Sequence, residues 1–226
     1  DDNETRRQLL PLTHTRPIAK IRIGVTTIAE KWQNMLGEAR YSWLTASYLQ
    51  EKFPLLAEGT NLMIAGHVLP SPTLAKQALG EGEAIIDGEQ VIAFNGKPED
   101  FDNRQFTKTH APAEQPSRIN KLYDIFELNS KAICDDFALI TQGRKSQPIP
   151  DTATVIGDAS QIFLEEGASV DGAFLNTKKG PIYIGKDVEI MECACIRGPF
   201  AACHDAKVKI GAKIYEGTTL GPFCKV

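Results

Sequence analysis

The chain has 226 residues, a formal net charge of −4 at pH 7 and five cysteines. Its length allows two modest domains. The charge excludes the basic surface that is typical of nucleic-acid-binding domains, and no apolar run approaches the roughly 18 residues that a membrane-spanning helix requires. An odd number of cysteines without a regular spacing is typical of the reducing cytosol, so we expect a cytoplasmic protein with neither a membrane nor a nucleic-acid partner.

Basic and hydroxyl side chains are concentrated near the start of the chain. The segment PLTHTRP (residues 11–17) precedes IAKIRIG (residues 18–24), where aliphatic side chains alternate with polar ones as in a β-strand. This alternation predicts that Lys20 and Arg22 lie on the same face of a strand.

The middle of the chain predicts an α/β domain. A capping box that begins at Thr27 starts a helix, residues 61–69 form a buried strand, and Ser71 caps a second helix. Residues 83–94 form a hairpin whose Asp-Gly dipeptide is typical of a two-residue turn. The order of these elements predicts a mostly parallel sheet. The polar residues 95–117 lack periodicity, so we interpret them as a long loop that acts as a lid.

Two helical pieces and a linker complete this domain. Residues 119–141 carry two apolar faces, one before and one after Asn129, which predicts two helices joined at that point. The segment RKSQPIP (residues 144–150) has the composition of a linker. We therefore expect one domain at residues 1–146 and a second at residues 147–226.

A period of six residues organises the second domain. Eight positions share it, and all but one of them are Ile, Leu or Val: Ile184, Ile190, Ile196, Ala202, Val208, Ile214, Leu220 and Val226. Mostly small residues follow four positions later. This period fits neither an α-helix nor a simple strand, and it is typical of a β-helix in which each hexad supplies one short strand and a corner.

The repeat has two irregular features. An earlier grid at Leu164, Val170, Asn176 and Ile182 is offset by two residues and has Asn176 as its one polar member. The pattern is still running at Val226. Because an open β-helix end would expose unpaired strand edges, we expect the natural protein to continue further.

The segment PLTHTRP resembles the signature loop of sugar-nucleotide pyrophosphorylases. In that loop a glycine-rich turn and the pattern T-R-x-x-P-L-T-x-x-x-P-K surround the nucleotide phosphates with backbone N–H groups and cations. Pro-Leu-Thr is intact here and ends at Thr13, and Arg16 with the following proline keeps the family spacing. The chain departs from the pattern because no glycine precedes it, Arg7 fits only with a one-residue shift, and Ile18 replaces the lysine.

Three longer blocks, residues 11–32, 122–141 and 180–226, resemble a divergent, Bacteroidetes-type family of sugar nucleotidyltransferases. Its members are named as alternate bifunctional N-acetylglucosamine-1-phosphate uridyltransferase/glucosamine-1-phosphate acetyltransferases or as glucose-1-phosphate thymidylyltransferases. The resemblance implies a reduced, Rossmann-like α/β nucleotidyltransferase domain followed by a left-handed parallel β-helix of hexapeptide repeats. It also implies a sugar-1-phosphate that attacks the α-phosphate of an NTP with Mg²⁺, acetyl transfer from acetyl-CoA as a second activity, and a homotrimer formed through the β-helix. Its setting would be the synthesis of cell-envelope precursors.

The resemblance implies roles for five residues near the start of the chain. Arg7, Thr13 and Arg16 would bind the nucleotide phosphates. Lys20 and Arg22 would be the catalytic residues that stabilise the charge of the pentavalent transition state. For each cation the alternative is a solvated surface charge.

Metal binding and acetyl transfer have candidates further along the chain. Asp136, beside Asp135, would hold Mg²⁺, with a solvated surface charge as the alternative. His67 stands where the family has a Mg²⁺-binding aspartate, but histidine is a poor ligand for Mg²⁺, so a buried structural residue is the favoured interpretation. His204 is a candidate general base for acetyl transfer, although the resemblance places the family histidine beyond Val226.

Three cysteines, Cys193, Cys195 and Cys203, lie close together in the repeat, so we compared their spacing with that of zinc sites. Cys193 and Cys195 flank Ala194, which the hexad grid places inside, so both thiols are expected to point outward. A C-x-C spacing is unusual for zinc, even with Cys203 and His204 nearby. We predict no metal site there.

Two alternatives to nucleotidyl transfer stay open. The first is an acyltransferase whose N-terminal domain only binds or regulates, which the missing glycines and His67 favour. The second is a trimeric protein that binds sugar nucleotides or acts as a scaffold without catalysis. The sequence identifies neither the sugar nor the nucleotide base.

Overall fold

A computed structural model describes residues 1, 3–37 and 40–226 of the chain. These residues form two compact units. Unit 1 comprises Asp1–Ile21 and Thr27–Asp124, and unit 2 comprises Arg22–Thr26 and Ile125–Val226. Among the described residues, no helix combines the length and apolar character needed to cross a lipid bilayer.

Unit 1 contains short helices around a four-stranded sheet. The chain first forms α1 (Asn3–Gln8), β1 (Arg22–Ile23), β2 (Thr26–Thr27) and α2 (Ile28–Leu36), with 3-10 turns at Ile18–Lys20 and Ser47–Leu49. Of these elements, β1 and the first residue of β2 belong to unit 2. The remaining elements of the unit are β3 (Asn61–Ile64), α3 (Pro72–Ala75), β4 (Glu83–Asp87), β5 (Gln90–Gly96), α4 (Pro98–Asp102) and β6 (Lys108–His110). Strands β1 and β2 pair with each other, and the four-stranded sheet has the order β3-β5-β4-β6.

This sheet is mixed, so the prediction of a mostly parallel sheet is wrong. Strand β5 pairs antiparallel with both β3 and β4, and only β4 and β6 are parallel. Strands β4 and β5 are joined by a two-residue turn, Gly88 and Glu89, and so short a connection requires antiparallel neighbours. The left-handed φ lies at Gly88, so the turn sits one residue later than the Asp-Gly dipeptide predicted.

The helix starts were predicted well, whereas the long strand was not. Thr27 and Glu30 form both hydrogen bonds of the capping box at the start of α2, and the Ser71 side chain caps α3. Strand β3 ends at Ile64, short of the predicted residue 69. The residues that follow form a turn, and the backbone carbonyl of His67 accepts a hydrogen bond from the N–H of Ile119 at 2.9 Å.

The predicted lid at residues 95–117 contains regular structure. It holds α4 and then β6, which pairs with β4 from Glu83↔Lys108 to Ile85↔His110. The interpretation as one long loop is therefore wrong. Strand β6 has only three residues, which leaves too short a pattern to recognise in the sequence.

The helix α5 (Leu122–Thr141) is a single element of 20 residues. The prediction of two pieces joined at Asn129 is wrong, because Asn129 does not interrupt the helix. Its side chain accepts from the N–H of Gly24 at 2.7 Å and donates to the carbonyl of Gly217 at 2.7 Å. Asn129 therefore connects the helix to two backbone segments that are distant in the sequence.

Unit 2 is built on a left-handed parallel β-helix. The first coil comprises β7 (Thr154–Ile156), β8 (Ile162–Leu164) and β9 (Ser169–Val170), and the second β10 (Phe174–Asn176), β11 (Ile182–Ile184) and β12 (Glu189–Ile190). The third comprises β13 (Cys195–Arg197), β14 (Phe200–Ala202) and β15 (Lys207–Val208), followed by β16 (Lys213–Ile214) and β17 (Thr218–Leu220). Three parallel sheets stack these coils, with the orders β16-β13-β10-β7, β17-β14-β11-β8 and β15-β12-β9.

The hexad pattern correctly predicted the core of the β-helix. Six of its positions, from Ile184 to Ile214, are buried in one apolar cluster, while Leu220 is half-buried against it and Val226 is exposed. Asn176 is not a core position. The adjacent Leu175 is fully buried instead, and the Asn176 side chain accepts from a backbone N–H at the following corner.

The offset between the two grids comes from the corners. Ile182 pairs with Phe200, 18 positions later, and this spacing corresponds to three hexads. Ile162 pairs with Ile182, 20 positions later. The corner between β10 and β11 comprises residues 177–181, whereas the corner between β13 and β14 comprises only residues 198–199. The longer corner therefore carries extra residues without disturbing the stacked core.

One outer face of the β-helix packs against α5. Ile133 of the helix is fully buried in a cluster with Val25, Phe163, Tyr183 and Ala201. The last three are the central residues of β8, β11 and β14, so one stripe of outward-facing side chains is covered by the helix. This packing explains why these three strands carry apolar side chains both towards the β-helix core and on the outer face.

Candidate functional site

The segment PLTHTRP forms a turn-rich structure after α1. Thr13 is fully buried, and its hydroxyl donates to the carbonyl of Arg6 at 2.6 Å. Arg7 and Arg16 are exposed. The threonine thus shapes the segment from inside, and the two arginines present their guanidinium groups to solvent. Their predicted role in binding phosphates stays a prediction.

Arg6 has a different environment from its neighbour Arg7. Its guanidinium is buried, lies 3.6 Å from the Asp1 carboxylate and donates to the hydroxyl of Tyr48. The Tyr48 hydroxyl in turn donates to the carbonyl of His14 at 3.0 Å. Arg6 therefore attaches the PLTHTRP segment to the chain around Tyr48, which the sequence analysis did not identify.

Lys20 lies beside aromatic side chains. Its ammonium nitrogen is 5.0 Å from the ring centre of Trp43 and 5.9 Å from that of Tyr41. The prediction that Lys20 and Arg22 lie on the same face of one strand is wrong, because Lys20 ends a 3-10 turn and the strand begins only at Arg22. Both rings were missed in the sequence, where a cluster of aromatic residues between positions 41 and 53 was the available signal.

Arg22 belongs to unit 2, where it donates to the carbonyl of Val25 in the turn between β1 and β2. Gly24 of this turn has φ of +70°, and a Cβ atom there would lie 2.7 Å from the carbonyl carbon of Ala132. Only glycine fits so close to α5 with a left-handed φ. The turn that accepts the Arg22 hydrogen bond therefore lies directly against α5.

Asp136 anchors the same turn. Its Oδ2 atom accepts from the N–H groups of Val25 at 2.7 Å and Thr26 at 3.0 Å, and from the Thr26 hydroxyl at 3.2 Å. Two of the seven predicted site residues, Asp136 and Arg22, thus form hydrogen bonds with the same turn between β1 and β2. Asp136 is 95% buried, so it is not the solvated surface charge that was the alternative.

This environment does not fit a magnesium site. Mg²⁺ takes oxygen ligands in near-octahedral geometry and usually keeps several waters, whereas Oδ2 of Asp136 is occupied by three donors. Across residues 1, 3–37 and 40–226, no three His, Cys, Asp or Glu side chains are grouped so that they hold a metal ion.

The histidines occupy contrasting positions. His67 is 98% buried in unit 1, as expected for a structural residue. His204 is exposed at a corner after β14, where its Nδ1 atom lies 2.9 Å from a carboxylate oxygen of Asp205 and its ring is edge-on to Phe223 at 5.0 Å. An exposed imidazole with a carboxylate neighbour is able to move a proton, so the general-base role stays a prediction.

Unit 2 also contains an open cleft of about 350 Å³ beside the C-terminal end of α5. Arg144 lines it and makes two hydrogen bonds to Glu165, at 2.9 and 2.6 Å. Tyr183 donates to the same carboxylate at 2.7 Å. Burial raises the pKa of Glu165, but the hydrogen bonds from Arg144 and Tyr183 outweigh it, so the pKa is lowered overall. Arg144, a charged residue of the cleft wall, is therefore already paired with Glu165.

The architecture defines the class of protein. An α/β unit with exposed arginines in and after its first helix is followed in the chain by a left-handed β-helix, as in nucleotidyltransferase-type enzymes. A comparison with known protein families matches residues 1–145 to the sugar nucleotidyl transferases. The match covers more than half of the chain, and the chain belongs to the sugar nucleotidyl transferase family. A search of curated proteins found no match to it.

Membership of this family identifies the chain as a transferase enzyme with a sugar-nucleotide activity. Enzymes of the family bind an NTP and a sugar phosphate, and they commonly use a divalent metal ion. The family match and the exposed Arg7 and Arg16 all lie in the N-terminal part of the chain.

Proposed function

We propose that the enzyme transfers a nucleotidyl group from an NTP to a sugar-1-phosphate. The observation that carries this proposal is the family match over residues 1–145, which includes the PLTHTRP segment and its exposed Arg7 and Arg16. A phosphate oxygen of the sugar-1-phosphate attacks the α-phosphorus of the NTP. The bond between the α-phosphorus and the bridging oxygen breaks, and pyrophosphate leaves with the NDP-sugar as the second product.

The proposed roles follow from charge and exposure. Arg7 and Arg16 are free to turn towards the phosphates, while Thr13 fixes the shape of the segment between them. Lys20 and Arg22 offset the negative charge that develops on the α-phosphate oxygens, which is the main task of the protein in phosphoryl transfer.

We further propose a division of labour along the chain. Residues 1–146 are the nucleotide domain, and residues 147–226 form the assembly domain of a homotrimer. Support for the assembly role comes from the regular β-helix, a fold that is commonly trimeric. The substrates of the proposed reaction are cytoplasmic metabolites, which agrees with a chain whose five cysteines are all free thiols.

Acetyl transfer is a second candidate activity. It is favoured by the exposed His204 with its Asp205 neighbour at 2.9 Å, an arrangement that fits a general base acting on an amino-sugar with acetyl-CoA as the donor. An enzyme with this activity alone would use its N-terminal domain for binding or regulation, and a scaffold protein would have neither activity.

Isothermal titration of the chain with UTP, dTTP and acetyl-CoA, each with and without Mg²⁺, separates these functions. We expect one NTP to bind, and the variant Arg22→Ala to lose affinity for it. The variant Lys213→Ala is the matched control, because Lys213 is an exposed cation on the β-helix. Binding of acetyl-CoA without any NTP would favour acyl transfer, and unchanged NTP binding by Arg22→Ala would remove Arg22 from the site.

A further inference from the structure

We propose that Tyr41 and Trp43 form an aromatic corner that receives the base of the nucleotide, next to Lys20. This inference rests on the proposed function and adds a base-binding surface to it. The base needs a flat apolar partner, and the phosphates need cations. The described part of unit 1 offers both within one small region.

The two rings have the geometry of a corner. Their centres are 5.4 Å apart and their planes are perpendicular. Tyr41 is exposed and Trp43 is half-buried, so an aromatic ligand has access to this part of the surface. Trp43 is supported by Phe53, whose ring is 6.0 Å away at an angle of 81°. The backbone N–H of Trp43 also donates to the carbonyl of Pro54. A wall that is fixed in this way loses little entropy when a ligand stacks on it.

The corner is attached to the segment that carries the phosphate-binding candidates. Thr45 donates to the Asp1 carboxylate at 2.6 Å, and the same carboxylate accepts from the N–H of Ile18 at 3.0 Å. On the other side, the Tyr48 hydroxyl donates to the carbonyl of His14. The aromatic segment is thus attached within PLTHTRP, at His14, and directly after it, at Ile18. A nucleotide whose phosphates lie at PLTHTRP therefore brings its base to the corner.

Lys20 connects the two halves of the proposed site. Its ammonium group lies over the Trp43 ring at 5.0 Å in a cation–π contact between two half-buried side chains, and such a contact is a modest interaction. A phosphate group is a stronger partner for the ammonium. The lysine is therefore placed to contact the phosphate of a nucleotide whose base stacks on the adjacent ring.

The chemistry of the corner favours a nucleobase over a sugar. A sugar presents hydroxyl groups that need hydrogen-bond partners, but the hydroxyls of Thr45 and Tyr48 are already engaged by Asp1 and His14. Every nucleobase has a π-face, and stacking on an aromatic side chain tolerates different bases. The expected ligand is thus the pyrimidine or purine ring of an NTP.

Tryptophan fluorescence tests this inference directly, because the chain has only two tryptophans. Trp32 is buried, and its ring N–H donates to the carbonyl of Val68 at 2.8 Å. In the variant Trp32→Phe the signal comes from Trp43 alone, and we expect UTP or dTTP to quench it while inorganic tripolyphosphate does not. In the variant Trp43→Phe the buried Trp32 remains, and we expect no quenching.

Affinity gives a second measurement. Stacking on one aromatic ring predicts that Trp43→Ala weakens binding of the NTP about 5- to 150-fold, whereas Trp43→Phe retains most of it. Tripolyphosphate should bind Trp43→Ala as it binds the unmodified chain, which shows that the variant is folded.

The outcomes separate this inference from the proposed function. If calorimetry detects NTP binding but the fluorescence of Trp43 is unchanged, or if tripolyphosphate quenches it equally, the aromatic corner is wrong and the proposed function stands. If no NTP binds the chain, the proposed function fails and the base site fails with it.

Discussion

Glu165 shows how a single carboxylate is held by its neighbours. Arg144 binds it with two hydrogen bonds and stacks over the ring of Phe163 at 5.2 Å, while Tyr183 donates from the next coil. Burial and the neighbouring Glu165 raise the pKa of the Tyr183 hydroxyl, so it stays protonated and remains a donor. The three groups join the end of α5 to the first two coils.

This arrangement predicts a pH-dependent stability. Because the pKa of Glu165 is lowered in the folded state, its ionised form stabilises the fold above the unfolded carboxyl pKa of about 4.3. That contribution is lost as the pH falls through the folded pKa. The variant Glu165→Gln should therefore be less stable than the unmodified chain at neutral pH, with a difference that shrinks towards zero in acid. Urea unfolding from pH 7 to pH 3 measures it.

The adjacent Glu166 provides the control for this experiment. It is exposed, so Glu166→Gln should change the free energy of unfolding by less than about 0.5 kcal/mol at every pH. A difference for Glu165→Gln that is independent of pH would contradict the proposed ionic role.

At the scale of elements, the turn between β1 and β2 joins three parts of unit 2. Asn129 and Asp136 of α5 accept from its N–H groups, and the Thr219 hydroxyl of β17 donates to the carbonyl of Gly24 at 3.0 Å. The thiol of Cys203 lies 3.4 Å from the carbonyl of Val25. Five residues from the start of the chain are thereby built into the C-terminal unit, next to the proposed catalytic Arg22.

Removing the Asp136 carboxylate should loosen this turn. Asp136→Ala leaves the buried N–H of Val25 and the part-buried N–H of Thr26 without their acceptor, and the loss of a buried acceptor costs about 1–3 kcal/mol. We expect a free energy of unfolding lower by about 2–4 kcal/mol in urea denaturation, and a smaller loss for Asp136→Asn, which keeps an oxygen acceptor.

Asp135 is the matched control. It is exposed and pairs with Lys131 one helical turn away, so Asp135→Ala should cost only about 0.3–0.5 kcal/mol. Equal losses for the two alanine variants would show that Asp136 does not anchor the turn.

At the scale of the whole chain, local sequence patterns predicted individual elements, whereas strand pairing and the continuity of α5 depend on contacts between distant residues. The capping box at Thr27 and the hexads from Ile184 onward depend on neighbours a few residues away, and both are correct. Asn129 was read as a break because its partner Gly217 lies 88 positions away. The parallel pairing of β6 with β4 was missed for the same reason.

The candidate site was predictable only in part. The resemblance of PLTHTRP identified the segment, because its proline and threonine spacing is a local property. The contacts of Lys20 with Trp43 and of Arg6 with Tyr48 cross more than 20 positions, and no period or motif connects those residues. The buried position of Asp136 likewise depends on a turn that lies 110 positions earlier.

We propose that this chain makes an NDP-sugar, and the stoichiometry of the products provides the decisive test. The chain is incubated with UTP or dTTP and a panel of sugar-1-phosphates in the presence of Mg²⁺, and pyrophosphate and NDP-sugar are quantified together. We predict that one pair of substrates yields the two products in equal amounts, and that pyrophosphate release requires the sugar-1-phosphate. An NTP that binds the chain but releases no pyrophosphate with any sugar-1-phosphate would contradict nucleotidyl transfer and leave a binding or acyl-transfer role.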